Sequence, residues 1–422
     1  MRILMLAHRL PYPPTTGDKV RAYHVARHLA ASHRLTLACL VDEPLPAERI
    51  AAFRRWVPDV EHVVIDRRRH RARALLGLAA GASATVRYFD APGLRRRVEA
   101  RLREASFDLV YVSSSSMAQY VPAPAPAPVV MDFVDVDSDK WAQYAARLAF
   151  PASLVYGLEA RRLRRAEQAA AAAAAHCLVA TREEQRLLLA IAPDAPSTVV
   201  ANGVDLEYFA PRPAPGTAPT IVFTGAMDYF PNVDAVVHFA DGAFRLVRRR
   251  VPDARFVIVG KNPARAVRQL GSREGVEVVG GVPDVRPYLR EALVAVAPLR
   301  VARGVQNKVL EAMAMGLPVV ASPKAFEGLE AEPGRDLVVA HGEETFADAV
   351  VALLGDRDAR RRMGAAARRF VEERHAWPVT LAPLDRVVAD VGAPMSGRVR
   401  QPRLETAERG RTAAAPATGG RP

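Results

Sequence analysis

Two cysteines in 422 residues exclude a disulfide framework and a cysteine-built metal cluster. Cys39 and Cys177 each sit in a strand-like apolar run, "LTLACLV" and "HCLVA", where a thiol packs as a small core residue. A reducing cytoplasm suits that usage. Long hydrophobic runs are missing too. The uncharged stretch near residues 169–181 is alanine-dominated and interrupted by His176, so no transmembrane helix is expected. The opening "MRILMLAHRLPYPP" has too short an apolar run for a signal peptide. The expectation is a cytoplasmic protein, at most peripheral on the inner face of the cytoplasmic membrane. Neither G-x-G-x-x-G nor a Walker pattern occurs, which weakens a dinucleotide or P-loop reading. A net charge of +13 and a pI near 10.2 call for anionic partners. Nucleic acid is not expected among them, because no aromatic-interleaved basic sheet or recognition-helix motif is present.

Lysine is the most telling scarcity: five residues against 54 arginines. Arginine serves wherever a generic positive charge suffices, so the remaining lysines mark places where a compact ammonium is needed. Lys19, Lys140, Lys261, Lys308 and Lys324 each follow closely on a strand-like run, which is the ligand edge of an open α/β sheet.

What is present is alternation. Strand-like runs at 2–7, 34–41, 61–65, 107–113, 128–134, 176–180 and 197–201, then 219–224, 255–260, 275–280, 293–299 and 317–321, are separated by helical patterns. Such alternation predicts parallel sheets built from right-handed βαβ units. "APRPAPGTAP", residues 210–219, is too rich in proline for a helix or central strand and reads as a linker. The chain is therefore an α/β protein with a first doubly wound domain at 1–209 and a second at 220–376. One more helix is expected at 377–392, crossing back to the first domain, and a disordered tail at 393–422. Two such domains face each other across a cleft between their carboxyl edges.

Within "RGVQNKVLEAMAMGLPVVAS", residues 303–322, a glycine loop leads into a helix starting near Gln306 and ended by Gly316 and Pro318. Lys308 falls in the first turn, where free N–H groups and the helix dipole favour an anion. Glu311 is one turn further on the same face, suited to accept hydrogen bonds from sugar hydroxyls. A plain i, i+3 surface ion pair is the alternative. At the other end, "AHRLPYPPTTGDKVRAYH" places Gly17, Asp18, Lys19 and Arg21 in a second strand, glycine, helix arrangement that can cradle a phosphate or hydroxyl. His8 ends the first strand as a cleft candidate or as a packed histidine. Asp135-Val136-Asp137 imitates a metal-binding D-x-D, but it precedes a helix, so Asp137 or Ser138 as N-cap is the expected role and no metal site is assigned. Asp135 remains able to reach the cleft.

The stretches "PPTTGDKVRAYH", "SSSSMAQYV", "DVDSDKW", "NGVD", "MDYFPNVDA", "VEVVGGVPDV" and "GVQNKVLEAMAMGLPVVAS" resemble, in order and spacing, glycosyltransferase family 4 with its GT-B fold. The sugar transferases associated with PEP-CTERM/exosortase exopolysaccharide systems are the most similar group. The resemblance covers about residues 1–390. It implies that Glu311 binds the donor ribose, that Lys308 and the Gly304 loop with Gln306 and Asn307 meet the diphosphate, and that Gly281 and Val282 meet the nucleobase. Gly225 and Lys261 join the donor-side candidates, and Gly17 stands near the transferred sugar. The chain departs from the family where Arg303 replaces a glutamate and where Ala226 and Pro231 replace an arginine and a lysine. Arg300 or Arg303 is then expected to help Lys308 with the diphosphate. "SSSS" at 113–116 stands where many family members carry a cleft histidine.

The resulting expectation is a metal-independent retaining glycosyltransferase without a cofactor. It would move a sugar from a nucleotide-sugar onto a glycan or lipid-linked exopolysaccharide precursor. Lys308, Glu311, Arg303, His8 and Asp135 are the catalytic candidates. A GT-B sugar-nucleotide epimerase and a catalytically degenerate scaffold are the rival readings. Five arginines in "RRRHRAR", with "LRRRVEARLRE" following, make residues 67–103 either a solvated face or a contact for anionic lipid.

Overall fold

The computed structural model describes residues 1–44, 46–211, 218–302 and 304–393. Leu45, Arg303, the centre of the linker and the tail from residue 394 lie outside the described residues. Runs of branched apolar residues become strands buried on both faces, as parallel sheets require. The first sheet holds β1 (Arg2–Ala7), β2 (Arg34–Val41), β3 (Asp59–Val64), β4 (Leu109–Ser113), β5 (Val129–Val134), β6 (His176–Val179) and β7 (Ser197–Val199). Their spatial order is β3-β2-β1-β4-β5-β6-β7, all parallel. The second holds β8 (Thr220–Thr224), β9 (Arg255–Val259), β10 (Val276–Gly280), β11 (Val294–Ala297), β12 (Val319–Ala321) and β13 (Val338–Val339), ordered β10-β9-β8-β11-β12-β13. Helices cover both faces of each sheet. The twelve expected strands are all present, most of them one to three residues shorter. β13 was not expected, because two residues carry no periodicity.

Period-two alternation divides the first core. Ile3, Met5 and Ala7 of β1 pack on one face with the helix Gly17–Ser32, while Leu4 and Leu6 pack on the other with Met131 and Cys177. The helix Trp377–Gly392 belongs to the first face, where Trp377, Leu381, Leu384 and Val388 are buried. The chain thus returns to the first sheet after completing the second. It leaves through the "NGVD" turn, where a side chain on Gly203 would collide with the Trp377 ring at 2.7 Å, and Val204 bridges to Ala376. In both sheets the strand order reverses at the first strand, between β1 and β4 and between β8 and β11. Loops at the carboxyl ends of these strands flank the crevice where open α/β sheets bind ligands.

Candidate functional site

The loop after β11 turns sharply at Gly304, whose φ of 60° lies in the left-handed region that favours glycine. A Cβ there would also sit 2.6 Å from Asp135 Oδ1, so the second domain approaches the first at this point through bare backbone. The helix Asn307–Ala314 follows, with Gln306 at its N-cap and Gly316 in the left-handed region after its end. Val309, Leu310, Ala312 and Met313 bury one face of it, leaving Lys308 and Glu311 half-buried at the cleft wall. Lys308 Nζ donates to Asn232 Oδ1 at 2.8 Å and lies 5.1 Å from the Phe223 ring centroid. The Asn232 amide is oriented by its own donation to the Ala226 carbonyl at 2.9 Å. Burial lowers the Lys308 pKa to about 8, partly offset by Glu311. Burial raises the Glu311 carboxyl to about 7, partly offset by Lys308. A cation and a carboxylate that both lack water are poised for a ligand that supplies an anion to one and hydroxyls to the other.

Around this pair the glycine loops converge. A side chain on Gly225 would lie 3.3 Å from Lys308 Cε, and one on Gly281 would lie 3.2 Å from Lys261 Cβ. Met227 N–H donates to the Lys261 carbonyl at 2.9 Å, so the loops after β8 and β9 form one wall, with Val282 partly buried against the core below. Across the cleft, Gly17 faces the Asn307 amide, at 3.7 Å from the position its Cβ would take. Asn307 Oδ1 is buried and, among the described residues, has no hydrogen-bond partner. Sequence motifs almost 300 residues apart thus meet.

Three expected charges are otherwise engaged. Arg21 is 1% exposed and turns into the first domain, where it grips Asp132 through two hydrogen bonds of 2.9 and 3.0 Å and donates to the Val200 carbonyl and Asn202 Oδ1. Tyr111 donates to the same Asp132 carboxylate at 2.5 Å. Burial opposes the Arg21 charge, but Asp132 more than offsets it and raises the pKa. Arg21 is therefore a structural ion pair joining β4, β5 and the interdomain turn, not part of a phosphate loop. Lys19 is 6% exposed and pairs with Glu43, so it too faces inward. Arg300 is held by Asp234 through Nε at 2.9 Å and a second guanidinium contact. Arg303 lies outside the described residues.

His8 and Asp18 form a pair at the carboxyl end of β1, with Nε2 and Oδ2 3.1 Å apart. Asp18 also accepts from Arg9 at 2.9 Å and Thr16 at 2.5 Å. Burial would raise its carboxyl, but His8, Arg9 and Thr16 hold it well below the usual range. His8 Nδ1 is buried without a hydrogen-bond partner among the described residues, so one ring nitrogen is left for a ligand.

Asp135 is delivered by strain. Val134, a β-branched residue, has a φ of 64° at a register shift in β5, held by its N–H to Asp132 Oδ1 and by Ala180 N–H to its carbonyl. The following helix, Asp137–Arg147, carries neither Asp137 nor Ser138 as N-cap. Val136 occupies that position, and the N–H groups of Val136 and Ser138 donate to Glu184 Oε2 and Glu167 Oε1. Asp137 pairs with Lys140 instead. Among the described residues no group of histidine, cysteine or carboxylate side chains is arranged to hold a metal ion. Asn232 and the Val134 strain escaped the sequence reading; "MDYFPNVDA" held Asn232, but nothing local names its partner.

The basic segment is less uniform than its sequence. Arg67 reaches Asp42, Arg73 and Arg95 reach Asp90, and Arg97 and Arg101 reach Glu61. Arg68, Arg69 and Arg71 stay exposed on the helix Arg67–Ala79, which also exposes Leu75 and Leu76 at 65% and 70%. Among the described residues no helix is long and apolar enough to cross a membrane.

Comparison with known proteins bears on the fold and on the second domain. Residues 218–356 match the family model described as Glycosyl transferases group 1. A GDP-mannose-dependent alpha-(1-6)-phosphatidylinositol monomannoside mannosyltransferase of Mycobacterium tuberculosis (strain ATCC 25618 / H37Rv) is 30% identical over 231 residues, 49% of this chain and 59% of that protein. Its counterpart in Mycolicibacterium smegmatis is 28% identical over 226 residues, 47% of this chain and 58% of that one. The chain thus spans less than two thirds of these curated relatives. Among solved structures, Anabaena Alr3699/HepE in complex with UDP and glucose superposes with a TM-score of 0.65 at 13% identity, over 92% of this chain and 100% of that one. Sucrose-phosphate synthase from Thermosynechococcus elongatus gives 0.69 at 15% identity, over 92% and 98%. The chain has the GT-B fold, two Rossmann-like parallel-sheet domains, and its second domain is similar to the glycosyl transferases of group 1.

Proposed function

We propose that the protein is a retaining, metal-independent glycosyltransferase that moves a sugar from a nucleotide-sugar to a lipid-linked or exopolysaccharide glycan precursor. The observation that carries the reading is the Lys308–Glu311 pair at the start of the Asn307–Ala314 helix, facing the Gly17 loop across the cleft. Lys308 and the helix N-terminus would hold the diphosphate, and Glu311 the ribose hydroxyls. The bond from the anomeric carbon to the diphosphate oxygen breaks as the acceptor oxygen bonds to that carbon from the same face. The acceptor proton passes to the departing phosphate oxygen. Lys308 stabilises the charge that develops on the leaving group. The mannosyltransferase relatives and the neighbour solved with UDP and glucose make GDP-mannose and UDP-glucose the first donors to try.

The exposed leucines and unpaired arginines of the Arg67–Ala79 helix support peripheral contact with an anionic membrane face on the cytoplasmic side. Calorimetric titration with a panel of nucleotides, followed by transfer assays with lipid-linked acceptors in the presence of EDTA, tests the reading. Donor binding and chelator-resistant transfer are expected. Turnover of donor with no acceptor would favour an epimerase, and loss to EDTA with rescue by manganese would return the metal to Asp135 and Asp137.

A further inference from the structure

After β5 the chain forms a helical hairpin, Asp137–Arg147 and Ala152–Ala173, joined by residues 148–151. The sequence sets aromatic residues on both arms. Trp141 stacks on Tyr156 with centroids 5.4 Å apart at 17°, and Tyr144 meets both edge-on at 5.6 and 5.8 Å. Tyr144 also crosses to the second domain, where its ring stands 5.6 Å from Phe230. Phe230 opens the helix that carries Asn232, the partner of Lys308, so the inner end of this aromatic run adjoins the donor wall.

The outer end is aliphatic and open. Phe150 is 79% exposed at the hairpin tip, and Leu154 and Val155 are 51% and 40% exposed one step before Tyr156. The buried face of the second arm is formed instead by residues such as Ala160, Leu163 and Ala170. Arg147 lies one turn beyond Tyr144, exposed and without an ion pair among the described residues. The surface therefore grades from aromatic rings in the cleft, past a cation, to bare aliphatic groups in solvent.

We propose that this run is the path of an amphipathic acceptor, a sugar or phosphate head on a long aliphatic chain. The head lies in the cleft beside the Tyr144–Phe230 contact, an anionic linkage meets Arg147, and the chain runs out over Tyr156 to Leu154, Val155 and Phe150. The inference rests on the transferase reading and names the acceptor side of the same site. Continuity with the cleft selects a substrate chain over a second copy of the protein, because a subunit contact has no need of an inner end beside Lys308. Sugar faces stack on aromatic rings, and each methylene removed from water adds to affinity.

The test uses hexyl, decyl and tetradecyl phosphates below their micelle concentrations, brominated in mid-chain, with tryptophan quenching as the readout. Affinity is expected to rise by about tenfold or more from hexyl to decyl, less than full burial of the added methylenes would give. Phe150→Ser/Leu154→Ser/Val155→Ser should flatten that dependence while the melting temperature is retained. Trp141→Phe should remove most of the quenching, since Trp56 and Trp377 pack in the other face of the first domain. An unchanged chain-length dependence in the serine variant overturns the proposal. So does a wild-type dimer that the serine variant converts to monomer with chain binding intact, or binding to anionic vesicles alone. Chain binding without transfer to any acceptor keeps the path and removes the transferase reading. Transfer to soluble glycans without any chain-length dependence does the reverse.

Discussion

Lys308 and Glu311 stand one helical turn apart with pKa values drawn toward each other, to about 8 and about 7. The cause is common to both: the cleft wall withholds water from each charge, and each only partly replaces it for the other. A diphosphate favours the protonated lysine, so donor binding above pH 8 should take up a proton. Ribose hydroxyls favour the ionised carboxylate, so binding below pH 7 should release one. Calorimetry in buffers of differing ionisation enthalpy reads both, and heat independent of buffer at both pH values would remove the pair from the site.

The same shifts set a stability signature. The folded Glu311 pKa is raised, so its contribution is fully present below the unfolded value of 4.5 and is lost as pH rises through about 7. Glu311→Gln should flatten that part of the stability curve. Glu311→Ala should weaken nucleotide binding by about tenfold or more, the scale of lost hydrogen bonds to a charged group, with little loss of stability because no core cavity opens. Thermal melts against pH, beside nucleotide titrations, check both, and an unchanged donor affinity would refute the ribose role.

Lys308→Arg should lower turnover more than donor affinity. The ammonium is cradled by Asn232 at 2.8 Å, the Phe223 ring and the backbone at Gly225, a space that a planar guanidinium overfills. Interactions that strengthen as the leaving group departs appear in kcat. Lys324→Arg is the control, because Lys324 is exposed and bonded only to Glu327 at 2.6 Å. Wild-type kcat in Lys308→Arg would reassign the phosphate charge.

Asp132→Ala should destabilise by about 3–5 kcal/mol, because it strands the Arg21 guanidinium in the core of the first domain. Arg21→Met combined with Asp132→Leu should recover much of that loss. Denaturant unfolding of the single and double variants measures the difference. If Arg21 instead bound phosphate, Arg21→Met would raise the donor KM with little change in stability.

The sequence by itself determined the alternation of strands and helices, the glycine loops at the strand ends and the Lys308–Glu311 spacing. Each is a local property, set by periodicity or by i, i+3 geometry on one helix. It could not say which charges remain available. Arg21 finds Asp132 across 111 residues and Arg300 finds Asp234 across 66, and only packing decides such pairings. The five-lysine argument shows the same division. Placement after strands was legible, but Lys19 turned inward to Glu43 and Lys324 outward to Glu327, while Lys308 met the Asn232 amide in the first turn of the Phe230–Asp241 helix. The tertiary structure also decided the aromatic contact of Tyr144 with Phe230 and the strained Val134 that sets Asp135 against Gly304. Those depend on two sheets meeting at their carboxyl edges, and no window of sequence contains both edges.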